Sequence, residues 1–157
     1  MATYPSNQPR STTRASTWAS PKHSAKRWPA VTVLVADTYA LNFKTHACHW
    51  NVTGPRFFDL HAMFTEHYTE LWTAIDDIAE RVRVVLAPSS YNKMKASATI
   101  EADTATLDAA TLVRNLVADH ETVVRPARKA LALAGEHGHE ATPDLVAPRI
   151  TAHEKFA

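Results

Sequence analysis

Between residues 57 and 82 the apolar residues Phe57, Leu60, Phe64, Tyr68, Leu71, Ile75, Ile78 and Val82 recur at steps of three and four. That period keeps them on one side of a helix for about seven turns, whereas a strand alternates faces at every residue. The segment therefore predicts a long amphipathic helix, running from the Gly54-Pro55 turn to about Val85, that must bury its stripe against other helices. Only three glycines occur in 157 residues, so the positive-φ positions that tight hairpins demand are scarce throughout. The length suits one domain. No apolar run reaches the roughly 20 residues of a membrane helix, so the expectation is a soluble protein without a membrane partner. The single cysteine, Cys48, excludes an internal disulfide framework and suits a reducing, cytoplasmic compartment.

The remaining segments point the same way. Val31, Leu34, Leu41 and Cys48 share a face, predicting a helix over about residues 30–52 that ends at Thr53-Gly54-Pro55. After Pro88-Ser89-Ser90, residues 91–96 could form one or two turns. Val113, Leu116, Val117, His120, Val124, Ala127 and Leu131 mark a third long helix, in which Pro126 predicts a bend near Thr122. A loop with Gly135 and Gly138 follows, then an amphipathic segment over residues 142–157 that Pro148 should bend. The architecture expected is an all-α four-helix bundle over residues 30–157 with a short helix in the connection between the second and third long helices. Residues 1–29 form a separate arm. It carries Arg10, Arg14, Lys22, Lys26 and Arg27 with no acid, leaving the body net acidic, and it lacks the periodic apolar residues needed to offset the entropy of ordering.

On the long helix of residues 57–82, a flank beside the apolar stripe carries His61, Thr65, Trp72, Asp76 and Glu80. His49 lies twelve residues before His61 across the turn, so an antiparallel hairpin could bring the two imidazoles together. His61 and Asp76, however, are separated by about 22 Å at ~1.5 Å per residue. One metal cannot span that distance, so a site using all four groups needs two copies of the chain. An antiparallel two-fold pairing of the helix would create two equivalent sites. Imidazole with carboxylate suits borderline divalent metals such as Fe(II), Mn(II) or Zn(II). On spacing alone, an acid pair four residues apart is commonplace, and a solvated or ion-paired helix face is the weightier reading.

The run Lys44-Thr45-His46-Ala47-Cys48-His49-Trp50-Asn51-Val52-Thr53-Gly54-Pro55, continuing to Leu60-His61, closely resembles the signature of the Dps family, the DNA-binding proteins from starved cells. Tyr68-Thr69-Glu70-Leu71, Asp76-Asp77-Ile78-Ala79-Glu80-Arg81, Asp119-His120-Glu121-Thr122 and His153-Glu154-Lys155 are similar to strings that this family carries in the same order. The resemblance covers about residues 30–157 and implies a ferritin-like subunit that assembles as a dodecameric shell and stores iron. It also implies ferroxidase activity, oxidising Fe(II) with hydrogen peroxide in preference to dioxygen. The ligands it implies are His49 and His61 from one subunit with Asp76 and Glu80 from its two-fold partner. Trp50 matches the tryptophan beside that site, a residue that either intercepts radicals or simply packs.

One position departs from the family pattern: four residues after the second histidine stands Thr65 in place of an acid, and Glu66 lies about 100° further round the helix. A second iron would be held poorly there. The arm resembles the family's in character only; its five cations either tether DNA phosphates nonspecifically, several copies adding avidity, or form a solvated tail. Two functions from different classes thus stand: an iron-oxidising storage protein, and a nucleoid-associated cage in which Thr65 cripples oxidation. Elsewhere, Glu136-His137-Gly138-His139-Glu140 reads as a loop, His120 as a core histidine and Cys48 as a small buried apolar residue, while His46, His67 and His153 have no evident partners.

Overall fold

A computed structural model describes residues 29–82, 87–101, 108–136, 138 and 141–157. The basic arm, with Arg10, Arg14, Lys22, Lys26 and Arg27, lies outside the described residues, as do His137, His139 and Glu140 and the stretch beyond Val82 that the sequence adds to the long helix.

The described chain forms five helices: α1 (Pro29–Asn51), α2 (Phe57–Val82), α3 (Tyr91–Ser97), α4 (Ala109–Glu136) and α5 (Ala141–Phe156). No strand occurs among the described residues, and none of these helices is long and apolar enough to cross a membrane. α1 lies along both α2 and α4, α5 packs on α4 and touches α2, and short α3 leans on α1. Leu34, Leu41, Phe64, Leu71, Ile78, Val123 and Val146 are fully buried where the four long helices meet. The α2 stripe thus supplies one wall of a four-helix core, as its period requires.

The turn between α1 and α2 depends on Gly54, whose φ of 101° is a conformation that side chains with a Cβ rarely adopt. The Val52 amide closes α1 on the Cys48 carbonyl at 2.9 Å, and the Phe57 amide reaches the Gly54 carbonyl at 3.0 Å. Pro55 and Arg56 form the turn, so α2 begins two residues after the proline and not at it. Pro126 does not break α4, nor Pro148 α5; each helix is continuous through its proline. A missing N–H removes one bond from a helix held along its length by packing.

Polar anchors tie the helices together. Asp37, buried on α1, accepts hydrogen bonds from the Thr99 amide (2.5 Å), the Thr99 hydroxyl (2.8 Å) and the Ile100 amide (3.2 Å), fixing the chain that leaves α3. Lys44 on α1 pairs with Asp119 on α4 at 2.6 Å, and the Asn42 amide donates to the Tyr68 carbonyl at 2.6 Å. Arg149 on α5 grips Glu70 on α2 with both guanidinium arms.

Candidate metal centre

The α1–α2 turn sends the chain back on itself so that His49, in the last turn of α1, meets His61, near the start of α2. The two rings stack with centroids 3.7 Å apart and planes inclined by 24°. Each ring's Nδ1 lies 3.1 Å from the other residue's carbonyl oxygen. A carbonyl can only accept, so both Nδ1 atoms carry the proton. His61 thereby satisfies a carbonyl that the end of α1 leaves without a helical partner. The consequence for chemistry is that both Nε2 atoms present lone pairs, the form in which imidazole binds a metal.

Thr65 belongs to this arrangement as a support. Its hydroxyl donates to the His61 carbonyl at 2.9 Å and lies 3.1 Å from His49 Nδ1, whose proton it accepts. The hydroxyl's proton and one lone pair are therefore occupied in positioning the imidazoles. Phe57 stacks on the far side of His61, centroids 4.9 Å apart.

Aromatic rings continue the cluster along α1. His46 stacks on Tyr68 at 4.1 Å and lies 4.3 Å from Trp50, and Tyr68 stands edge-on to His49 at 5.3 Å. The sequence places Tyr68 on the apolar stripe and gives His46 no partner; the structure joins both to the histidine pair. Trp50 is 59% exposed on the outer surface beside them.

Asp76 and Glu80 occupy the other end of the unbroken α2, both exposed. They do not meet His49 or His61 of the same chain, and among the described residues no three His, Cys, Asp or Glu side chains of one subunit come together as a metal would need.

A second histidine group lies inside the bundle, where the sequence signals only a core histidine at His120. His120 and His153 are buried with their Nδ1 atoms 2.9 Å apart, His67 stacks on Phe156 at 3.8 Å, and His67 stands edge-on to His120 at 5.9 Å. Burial pushes His120 down to about 4 and His153 to about 3, with His67 and Arg149 acting further on His120, and His120 and Arg149 on His153. Two neutral rings share one Nδ1 proton, and neither Nε2 has a hydrogen-bond partner among the described residues. Helical periodicity places each ring inward but carries no sign that residues 33 apart in sequence will meet.

Residues 31–157 match the model of the ferritin-like domain. A low temperature-induced protein of Nostoc is 37% identical over 78% of this chain and 71% of its own length. A DNA protection during starvation protein of Brevibacillus brevis is 39% identical over 71% of this chain and 76% of its own. Among solved structures, the Dps protein of Vibrio cholerae, described as a ferritin-like diiron-carboxylate protein, superposes with a TM-score of 0.78 at 33% identity, covering 83% of each chain.

Proposed function

Because the chain belongs to the Dps family of ferritin-like proteins, we propose that it protects DNA by binding, oxidising and storing iron. The ferrous substrate binds between two antiparallel copies, held by His49 and His61 of one subunit and by Asp76 and Glu80 of the partner subunit. The observation that carries this reading is the stacked His49–His61 pair with both Nε2 lone pairs free. An imidazole pair without carboxylates would not favour ferric iron, and the exposed acids complete the set only from a second copy.

In this reading the chain's own groups have distinct tasks. The two carbonyls and Thr65 hold the imidazoles in the ligating tautomer. Asp76 and Glu80 supply the negative charge that stabilises the product over the substrate. Two ferrous ions each give one electron to the same hydrogen peroxide molecule, which takes up two protons and leaves as two waters. No hydroxyl radical is released. The ferric product collects on acidic groups inside a dodecameric shell, and the basic arm, with Arg10, Arg14, Lys22, Lys26 and Arg27, holds DNA phosphates nonspecifically.

Thr65 favours a second reading, a DNA-binding cage with weak oxidation, because its hydroxyl stands where an acidic ligand would serve. Peroxide-driven oxidation of Fe(II) by protein lacking residues 1–28 separates the two. Full activity supports the ferroxidase, and its loss in His49→Ala ties that activity to the stacked pair; no oxidation in the intact protein leaves the cage.

A further inference from the structure

The outer face of α2 carries two large apolar side chains among small residues and the exposed carboxylates Asp76 and Glu80. Phe58 is 83% and Trp72 is 62% exposed, although each would bury a large apolar area if covered. Ala62, Thr65, Thr69 and Thr73 lie around them. Exposed aromatics of this size on a helix that also carries half a metal site call for an occupant.

The ferroxidase reading, on which this inference rests, fixes which residues of a second copy lie against them. If His61 of one α2 faces Asp76 of the other, the two-fold axis crosses the helix midway between these positions, beside Tyr68 and Thr69. The same register sets Trp72 of the partner subunit against Thr65, and Phe58 against Ala79 of the partner subunit. Each large residue meets a small one, which is the complementarity a self-pairing surface needs. At about 100° per residue, positions 61, 65, 72 and 76 lie within about 60° of one another, so all four share this contact face.

We propose that Trp72 of the partner subunit closes over Thr65 and forms the wall of the iron site, limiting each site to one tightly held ferrous ion. Thr65 is already engaged with the His61 carbonyl and His49 Nδ1, and the indole has an N–H donor but no lone pair to offer a cation. The space in which a second ion would find its ligand is occupied by an aromatic ring. Trp72 is thus a specificity-determining residue contributed in trans, and Thr65 and Trp72 form a matched pair: a carboxylate at position 65 would be desolvated beneath the indole.

The full-length protein is titrated anaerobically with Fe(II) alone in a calorimeter, with assembly followed by light scattering, for wild type, Thr65→Asp, Trp72→Ala and the double variant. The expected result is one ion per subunit in wild type and both single variants, and two in Thr65→Asp/Trp72→Ala. Two ions in Thr65→Asp alone, or one in an assembled double variant, overturns the proposal and leaves the ferroxidase reading standing. No ion bound by wild type overturns both. Should the double variant fail to assemble, a protein with Trp72 as sole tryptophan, Trp18, Trp28 and Trp50 being replaced by Phe, decides the matter. Emission from a water-shielded indole that changes on adding Fe(II) supports the proposal, and water-exposed emission from the intact assembly overturns it.

Discussion

Acidification should loosen the bundle before its carboxylates protonate, because His120 and His153 are folded in as neutral rings. In the unfolded chain each titrates near 6.5, whereas the folded values are about 4 and about 3, set first by burial. The unfolded state therefore binds more protons as pH falls below 6.5, and the stability present at neutral pH is lost from that point down towards pH 4. Each such histidine contributes about 1.4 kcal/mol per pH unit, so the pair contributes about 3. Integrated from pH 7 to pH 5, the loss is about 4 kcal/mol, a large share of the ~5–15 kcal/mol by which a domain is stable. His67, also lowered chiefly by burial, acts in the same direction. The titratable and charged groups acting on the pair are His67 on α2 and Arg149 on α5, and those acting on His67 are Glu66, Glu70 and Lys155. Denaturant unfolding at fixed protein concentration, at several pH values between about 7.5 and 5.5, measures the slope. His153→Phe should lower stability at pH 7.5 but reduce the fall in stability between about pH 7.5 and 5.5 by about 1.4 kcal/mol in total. Wild-type stability that is flat across this range, or a slope unchanged by His153→Phe, would refute the reasoning.

Three further outcomes follow from individual contacts. Asp37→Ala leaves the buried amide of Ile100 and the amide of Thr99 without their acceptor, and should cost about 2 to 4 kcal/mol in denaturant unfolding, with Asp37→Asn recovering part of it. Lys44→Met removes the cation 2.6 Å from the largely buried Asp119 carboxylate and should cost about 3 to 5 kcal/mol, while Lys44→Met/Asp119→Leu should unfold closer to wild type; a double variant as unstable as the single one would contradict this. Gly54→Ala places a Cβ at a φ of 101°, with nothing within 4 Å to clash, so its expected cost of about 1 to 3 kcal/mol is backbone strain alone and should appear in the thermal midpoint.

The parts of the fold legible in the sequence are those carried by local periodicity and turn chemistry. The α2 stripe, the Gly54 reversal, the Pro88-Ser89-Ser90 break before α3 and the Gly138 turn all depend on residues within a few positions of each other. Pro126 and Pro148 leave α4 and α5 continuous, the loss of one backbone bond being outweighed by packing along each helix. The histidine pair of the candidate site is legible because a hairpin joins His49 to His61 over twelve residues. The His120–His153 contact, the Asp37 anchor to Thr99 and the bidentate Arg149–Glu70 pair join residues 33, 62 and 79 apart, and no pattern along the chain marks such partners. Thr65 is legible as a departure from an acidic ligand; its role in holding both imidazoles emerges only from the geometry.

The central claim, that each site takes histidines from one subunit and carboxylates from another, is tested most directly by complementation. His49→Ala/His61→Ala and Asp76→Ala/Glu80→Ala are each inactive if all four residues serve. Unfolded together and reassembled at equal amounts, they should recover about a quarter of wild-type iron oxidation, since half of random dimers are mixed and each mixed dimer rebuilds one of its two sites. Mixtures that remain as inactive as either variant alone, while shown to contain mixed dimers, would contradict a site shared between two subunits.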